Sequence, residues 1–173
     1  MSESIAQQPI RDDALSVNDQ LMQQLPVSLA QVAKLLAERG VPIFVDAEGG
    51  SVLATLIEGE ILFMVNENMD TISFRGLWNR VFSSARYRNA ADTCNEWNAY
   101  GTWARGYASE PSVDENRAVR MFCSGQIMND DRDDVMGMRI DDVLNVSQIF
   151  FSWLGEQYPD PIRIPDAPYG RKA

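Results

Sequence analysis

Four arginines stand close together in the chain: Arg75, Arg80, Arg86 and Arg88. No acidic residue lies from Thr71 to Ala91, and Trp78, Phe82 and Tyr87 are interleaved with the arginines. Guanidinium forks grip carboxylates and phosphates, and aromatic faces add contact area. The stretch is therefore a candidate site for an acidic peptide or a phosphate-bearing partner. The plainer reading pairs these arginines with the chain's own surplus carboxylates, and the usual weakness of surface ion pairs favours it.

Three further groups invite a chemical reading. Trp103 and Tyr107 fall on alternate positions of an expected strand. Exposed, they form a binding platform; covered by the last helix, they are core, and the pattern does not choose. Asn95, Trp97 and Asn98 could line a groove, but tryptophan at helical spacing normally packs, with the amides bonded to backbone at the helix end. Asp130, Asp131, Asp133 and Asp134 offer oxygens to calcium or magnesium. The register of a calcium loop fails, however, because no glycine stands sixth and no glutamate twelfth. A solvated turn that charges the start of a helix fits better. Gly49-Gly50 lacks the Lys-Ser/Thr of a phosphate loop.

The chain has no histidine. Ser-His-Asp and Cys-His nucleophiles, most catalytic zinc sites and the two-His-one-carboxylate iron site all require imidazole. No catalytic residue, metal site or cofactor is assigned, and the reading is that of a non-enzyme. The two cysteines, Cys94 and Cys123, form no CxxC pair and sit among apolar neighbours, as small buried hydrophobes do. A net charge of −10 opposes general binding to nucleic acid or anionic membrane. The N-terminus lacks the basic start and apolar stretch of a secretory signal, and no apolar run is long enough to cross a bilayer. The expected location is cytoplasmic.

The elements that must position these residues follow from periodicity. Residues 1–24 form a polar tail or a marginal helix. A helix is expected from Ser28, capped by that serine, with Leu29, Val32, Ala33 and Leu36 on one face and Gly40 ending it. From 43 to 77 the pattern becomes an antiparallel strand meander. Ile61 to Val65 is apolar at every position, which predicts a strand covered on both faces. A helix follows from about Asn89 to Tyr100, with Ala90, Cys94 and Trp97 inward. Strands around Trp103–Tyr107 and Arg117–Met128 come next. In the last helix, Ile140, Val143, Leu144, Ser147, Phe151, Leu154 and Tyr158 form one apolar stripe, and Val146, Ile149, Phe150 and Trp153 form a second. Such a helix is wrapped by the core or partly covered by another subunit. Residues 160–173 read as a Pro-rich extended tail. The whole is an α+β domain with an antiparallel β-sheet and helices packed on it.

Several of these pieces, in order, resemble the YbjN-domain family, a bacterial group whose fold is similar to that of type III secretion chaperones. The resemblance runs from about Leu25 to Pro159. Its carriers are the helix Leu29–Gly40 ending in Arg-Gly, the meander with Phe63 and Phe74, and Cys94-Asn95-Glu96-Trp97-Asn98 followed by the strand with Trp103 and Tyr107. The closing helix with Ile149-Phe150-Phe151 and Leu154 before Tyr158-Pro159 also matches. The resemblance implies a secretion-chaperone-like fold and a regulator of sensory transduction that binds a protein partner or client peptide, and it implies a homodimer. It supplies no catalytic residue. The alternative function is a small-molecule or nucleotide sensor using the arginines as an anion site. The candidate partner- or anion-binding residues are Arg75, Trp78, Arg80, Arg86, Arg88, Trp103 and Tyr107. Nucleic acid and membrane are not expected partners.

Overall fold

Pro26 and Gly40 bracket the first long helix. Pro26 fixes an extended entry, and its carbonyl accepts the amides of Leu29 and Ala30. Gly40 takes φ +70, a left-handed conformation that costs glycine little, and its amide closes on Ala37 O. The computed structural model describes residues 17–65, 70–111, 117–159 and 162–163. Four helices lie in it: α1 (Val17–Met22), α2 (Val27–Glu38), α3 (Tyr87–Ala99) and α4 (Asp133–Gln157). Ser28 does not cap α2; it lies buried inside the first turn, and no side chain caps that end. Helix α1 occupies part of the expected N-terminal tail. The rest of the expected N-terminal tail, and most of the expected C-terminal one, lies outside the described residues.

Seven strands alternate with these helices: β1 (Ile43–Asp46), β2 (Ser51–Thr55), β3 (Gly59–Val65), β4 (Thr71–Ser83), β5 (Arg105–Ala108), β6 (Ala118–Met128) and β7 (Ile162–Arg163). Six of them form an antiparallel sheet in the order β1-β2-β3-β4-β6-β5, and the short β7 pairs with β4 at Arg80 and Val81. The meander β1–β4 follows from its short loops. Strand β4 runs on to Ser83, past the expected end of the meander at residue 77, and its pairing with β6 slips between Leu77 and Val81.

The helices cover one face of the sheet. Val45, Val52, Ala54, Ile61, Phe63, Ile72, Phe74, Met121 and Cys123 point into that layer and are buried. Both apolar stripes of α4 are used there. Ile140, Val143, Val146, Phe150, Phe151 and Leu154 are all buried, so the core wraps the helix, and Ile149 is left outside at 60% exposure. Phe151 reaches the sheet backbone because Gly59 and Gly76 have no side chain. A Cβ on Gly59 would collide with Leu77 O and lie 2.7 Å from the Phe151 ring. Ion pairs fasten α2 to α4: Lys34 Nζ meets Asp133 Oδ2 at 2.6 Å, and Arg39 forks onto Asp141 at 2.6 and 3.0 Å.

The expectation for Ile61–Val65 needs correcting. Ile61 and Phe63 are buried, but Leu62 and Met64 are only half-buried on the opposite side, although β3 lies inside the sheet. The second face has no helix on it among the described residues. No described helix is long and apolar enough to cross a membrane.

Candidate functional site

The uncovered face is built by register. Cross-strand pairing sets Phe44 beside Leu53, Leu53 beside Leu62, and Leu62 beside Arg75. A neighbouring row sets Glu60 beside Leu77, Leu77 beside Phe122, and Phe122 beside Tyr107. Side chains alternate across a strand, so the residues between these point into the helix layer. Phe44, Leu53, Leu62, Leu77 and Phe122, with Arg75 and Arg120, line a groove of about 430 Å³. Phe44 is 52% exposed. Contiguous apolar surface of this kind marks an interaction site more often than scattered single residues do.

One corner of the groove is polar. Tyr107 and Phe122 stack at 5.1 Å with their planes 12° apart. The exposed Arg75 guanidinium lies over both rings, at 5.8 and 5.6 Å. No described carboxylate pairs with Arg75. The Tyr107 hydroxyl is shut away from solvent and has no hydrogen-bond partner among the described residues. Burial pushes its pKa up, and the Arg75 charge pulls it the other way.

The sequence grouped seven residues here; the fold keeps two of them together, Arg75 and Tyr107. Trp78 is fully buried between Phe82 and Tyr158, so it offers no surface to a partner. Arg80 is turned inward, 4.8 Å over the Trp78 ring, with Nη1 donating to Tyr158 O at 3.5 Å and Nη2 4.0 Å from Glu58 Oε1. Arg86 sits in a single 3₁₀ turn (Ser84–Arg86) over Phe82, and Arg88 is exposed on α3. Arginines spaced closely along the chain thus diverge, because β4 ends and the chain turns into α3. Trp103 precedes β5 and packs edge-on against the core residue Phe74 at 5.2 Å, on the helix side. It does not form a platform with Tyr107.

The remaining groups have structural roles. Asn98 donates from Nδ2 to Gly106 O and accepts Gly106 N–H at Oδ1, both at 2.8 Å. Its amide imitates a neighbouring strand and ties α3 to β5. The buried Trp97 donates Nε1–H to Ala104 O at 3.0 Å. Asp130 accepts from Arg132 at 3.1 Å, and Arg139 stands 3.8 Å away. No group of three or more potential ligands among the described residues is arranged to hold a metal ion. Cys94 and Cys123 are buried free thiols whose pKa values burial pushes up to about 12 and about 11, away from thiolate chemistry.

Phe44, Leu53, Leu62, Leu77, Arg120 and Phe122 were not among the candidates from sequence. One signal was present: Ile61–Val65 is apolar on both alternations, which fits either a doubly covered strand or one bearing a binding surface.

No family model and no curated protein sequence matches the chain. Its fold is matched in the crystal structure of YbjN from E. coli, described as a candidate transcription regulator. The TM-score is 0.59 at 10% sequence identity, covering 79% of this chain and 96% of that one. At that identity the likeness speaks for architecture alone, and the chain has a YbjN-like α+β fold.

Proposed function

We propose that this domain is a non-enzymatic protein-binding module of a regulatory kind, and that it binds through the uncovered face of its sheet. The observation that carries the reading is the asymmetry of the sheet. One face is sealed by α2, α3 and α4, while the other presents Phe44, Leu53, Leu62, Leu77 and Phe122 with no covering element among the described residues. A shallow apolar groove rimmed by charge suits an extended segment of a protein better than a small polar substrate. The shared fold with YbjN agrees with a regulatory role. The homodimer belongs to the same proposal. Its interface would fall on the solvent side of α4, where Met138 and Ile149 stay exposed, leaving the open sheet face to the partner.

A photocrosslinking amino acid placed at Leu62, or separately at Ile149, tests this in the full chain inside its own cells. Protein adducts are expected from Leu62, distinct from any self-adduct at Ile149. The proposal fails if Leu62 yields no protein adduct. The anion-sensor alternative keeps one supporting observation, the guanidinium of Arg75 that pairs with no described carboxylate. It predicts that phosphorylated metabolites raise the melting temperature and that Arg75→Gln abolishes the shift.

A further inference from the structure

We infer that the Arg75 corner of the open face is a carboxylate site, and that the partner is an acidic-apolar protein segment which sets an Asp or Glu there and apolar side chains in the groove. This rests on the binding reading above and names the chemistry of what binds. In a chain of net charge −10, a guanidinium on a central strand would ordinarily find a carboxylate of its own. Two acidic residues line the groove; Asp46 Oδ1 accepts the Gly49 amide at 2.9 Å, and Glu60 has its own interaction. Arg75 instead lies on the Tyr107–Phe122 stack, which holds the fork in place and leaves its N–H groups available. An incoming carboxylate can accept from both arms of that fork. Leu62 is the cross-strand neighbour of Arg75, with Leu53 next to it. A bound carboxylate would therefore stand directly beside apolar surface.

A second copy of this chain suits the face less well. A two-fold axis along the strands through the β3–β4 pair lays Arg75 of one copy on Leu62 of the other, because those residues pair across the strands. An axis across the strands through the same row brings Arg75 onto Arg75. Neither arrangement gives the guanidinium a carboxylate.

Binding of fluorescent synthetic peptides to the full-length chain, read by anisotropy, tests the assignment. Three short probes are used: alternating Leu-Asp, alternating Leu-Lys and alternating Ser-Asp. The Leu-Asp peptide is expected to bind about tenfold or more tightly than either of the others, the scale of one desolvated charge-assisted pair. Arg75→Gln should abolish the preference for Asp over Lys. Arg86→Gln, on the far turn, should leave it intact. Arg75 is exposed, so the variant is expected to fold, and near-UV circular dichroism checks this. If Leu-Asp and Leu-Lys bind alike, or Arg75→Gln keeps the preference, the carboxylate site is wrong and the apolar binding face stands. If Ser-Asp binds as well as Leu-Asp, the face is a simple anion site and the acidic-apolar partner is wrong. If no peptide binds, both this inference and the binding face fall.

Discussion

The two faces of one sheet are made from alternate residues of the same strands, yet they are finished differently. On the helix side, β4 contributes Ile72, Phe74, Gly76 and Trp78, all buried, and α4 lays Phe150 and Phe151 against the sheet. On the other side the same strand contributes Ser73, Arg75 and Leu77, none of them buried. The first face shows how the fold is held, by close aromatic packing over glycines. The second carries large apolar side chains and an arginine that the fold itself does not use. Residues that contribute little to stability and still present apolar area are the ones to examine for function.

This contrast can be broken or sharpened by substitution. The largest effect is expected on the covered face. Phe151→Ala should cost about 3–5 kcal/mol, as truncation of a fully buried aromatic does, read as a shift in urea denaturation. Asn98→Ala comes next. It leaves the Gly106 N–H and carbonyl without their side-chain partner, for a loss of about 1–3 kcal/mol. On the open face, Phe44→Ser should change stability by about 1 kcal/mol or less, while lowering crosslinking from Leu62. A cost equal to that of Phe151→Ala would mean that the two faces are not different in kind.

The smallest effect concerns acid. Arg39 holds the Asp141 carboxyl below the ordinary range, Lys34 does the same to Asp133, and Arg132 to Asp130. A carboxylate with a depressed folded pKa contributes stability that is fully present above the unfolded value, about 4, and is lost as pH falls through the folded value. Stability should therefore fall below about pH 4. Asp141→Asn should make that fall shallower, without changing the difference between the two faces. In each pair at least one side chain is half or more solvent-exposed, so the change is small.

Much of the covered face was legible in the sequence. The 3.6-residue stripe at Leu29, Val32, Ala33 and Leu36, the face Ala90, Cys94 and Trp97, and both stripes of α4 are local patterns, and burial follows from them for most positions, Ile149 excepted. The open face was not legible, because periodicity reports which residues are apolar and not what covers them. Ile61–Val65 looks the same whether Leu62 meets a helix or solvent. The arginine group misled for a related reason. Arg75 and Arg80 share β4, but the register slip after Leu77 and the turn at Ser84–Arg86 send the later arginines elsewhere. Tyr107 and Phe122 joined Arg75 only through the β5–β6 and β4–β6 pairings, which link residues far apart in the chain.

The account depends most on the open face being dispensable for folding and required for binding. The direct measurement is the Leu62 crosslinking yield in a Phe44→Ser/Leu77→Ser double variant whose urea midpoint is recorded in parallel. We expect a midpoint close to that of the unmodified chain and a loss of the protein adduct. A variant that no longer folds, or one that folds and still yields the adduct at full strength, would contradict the account.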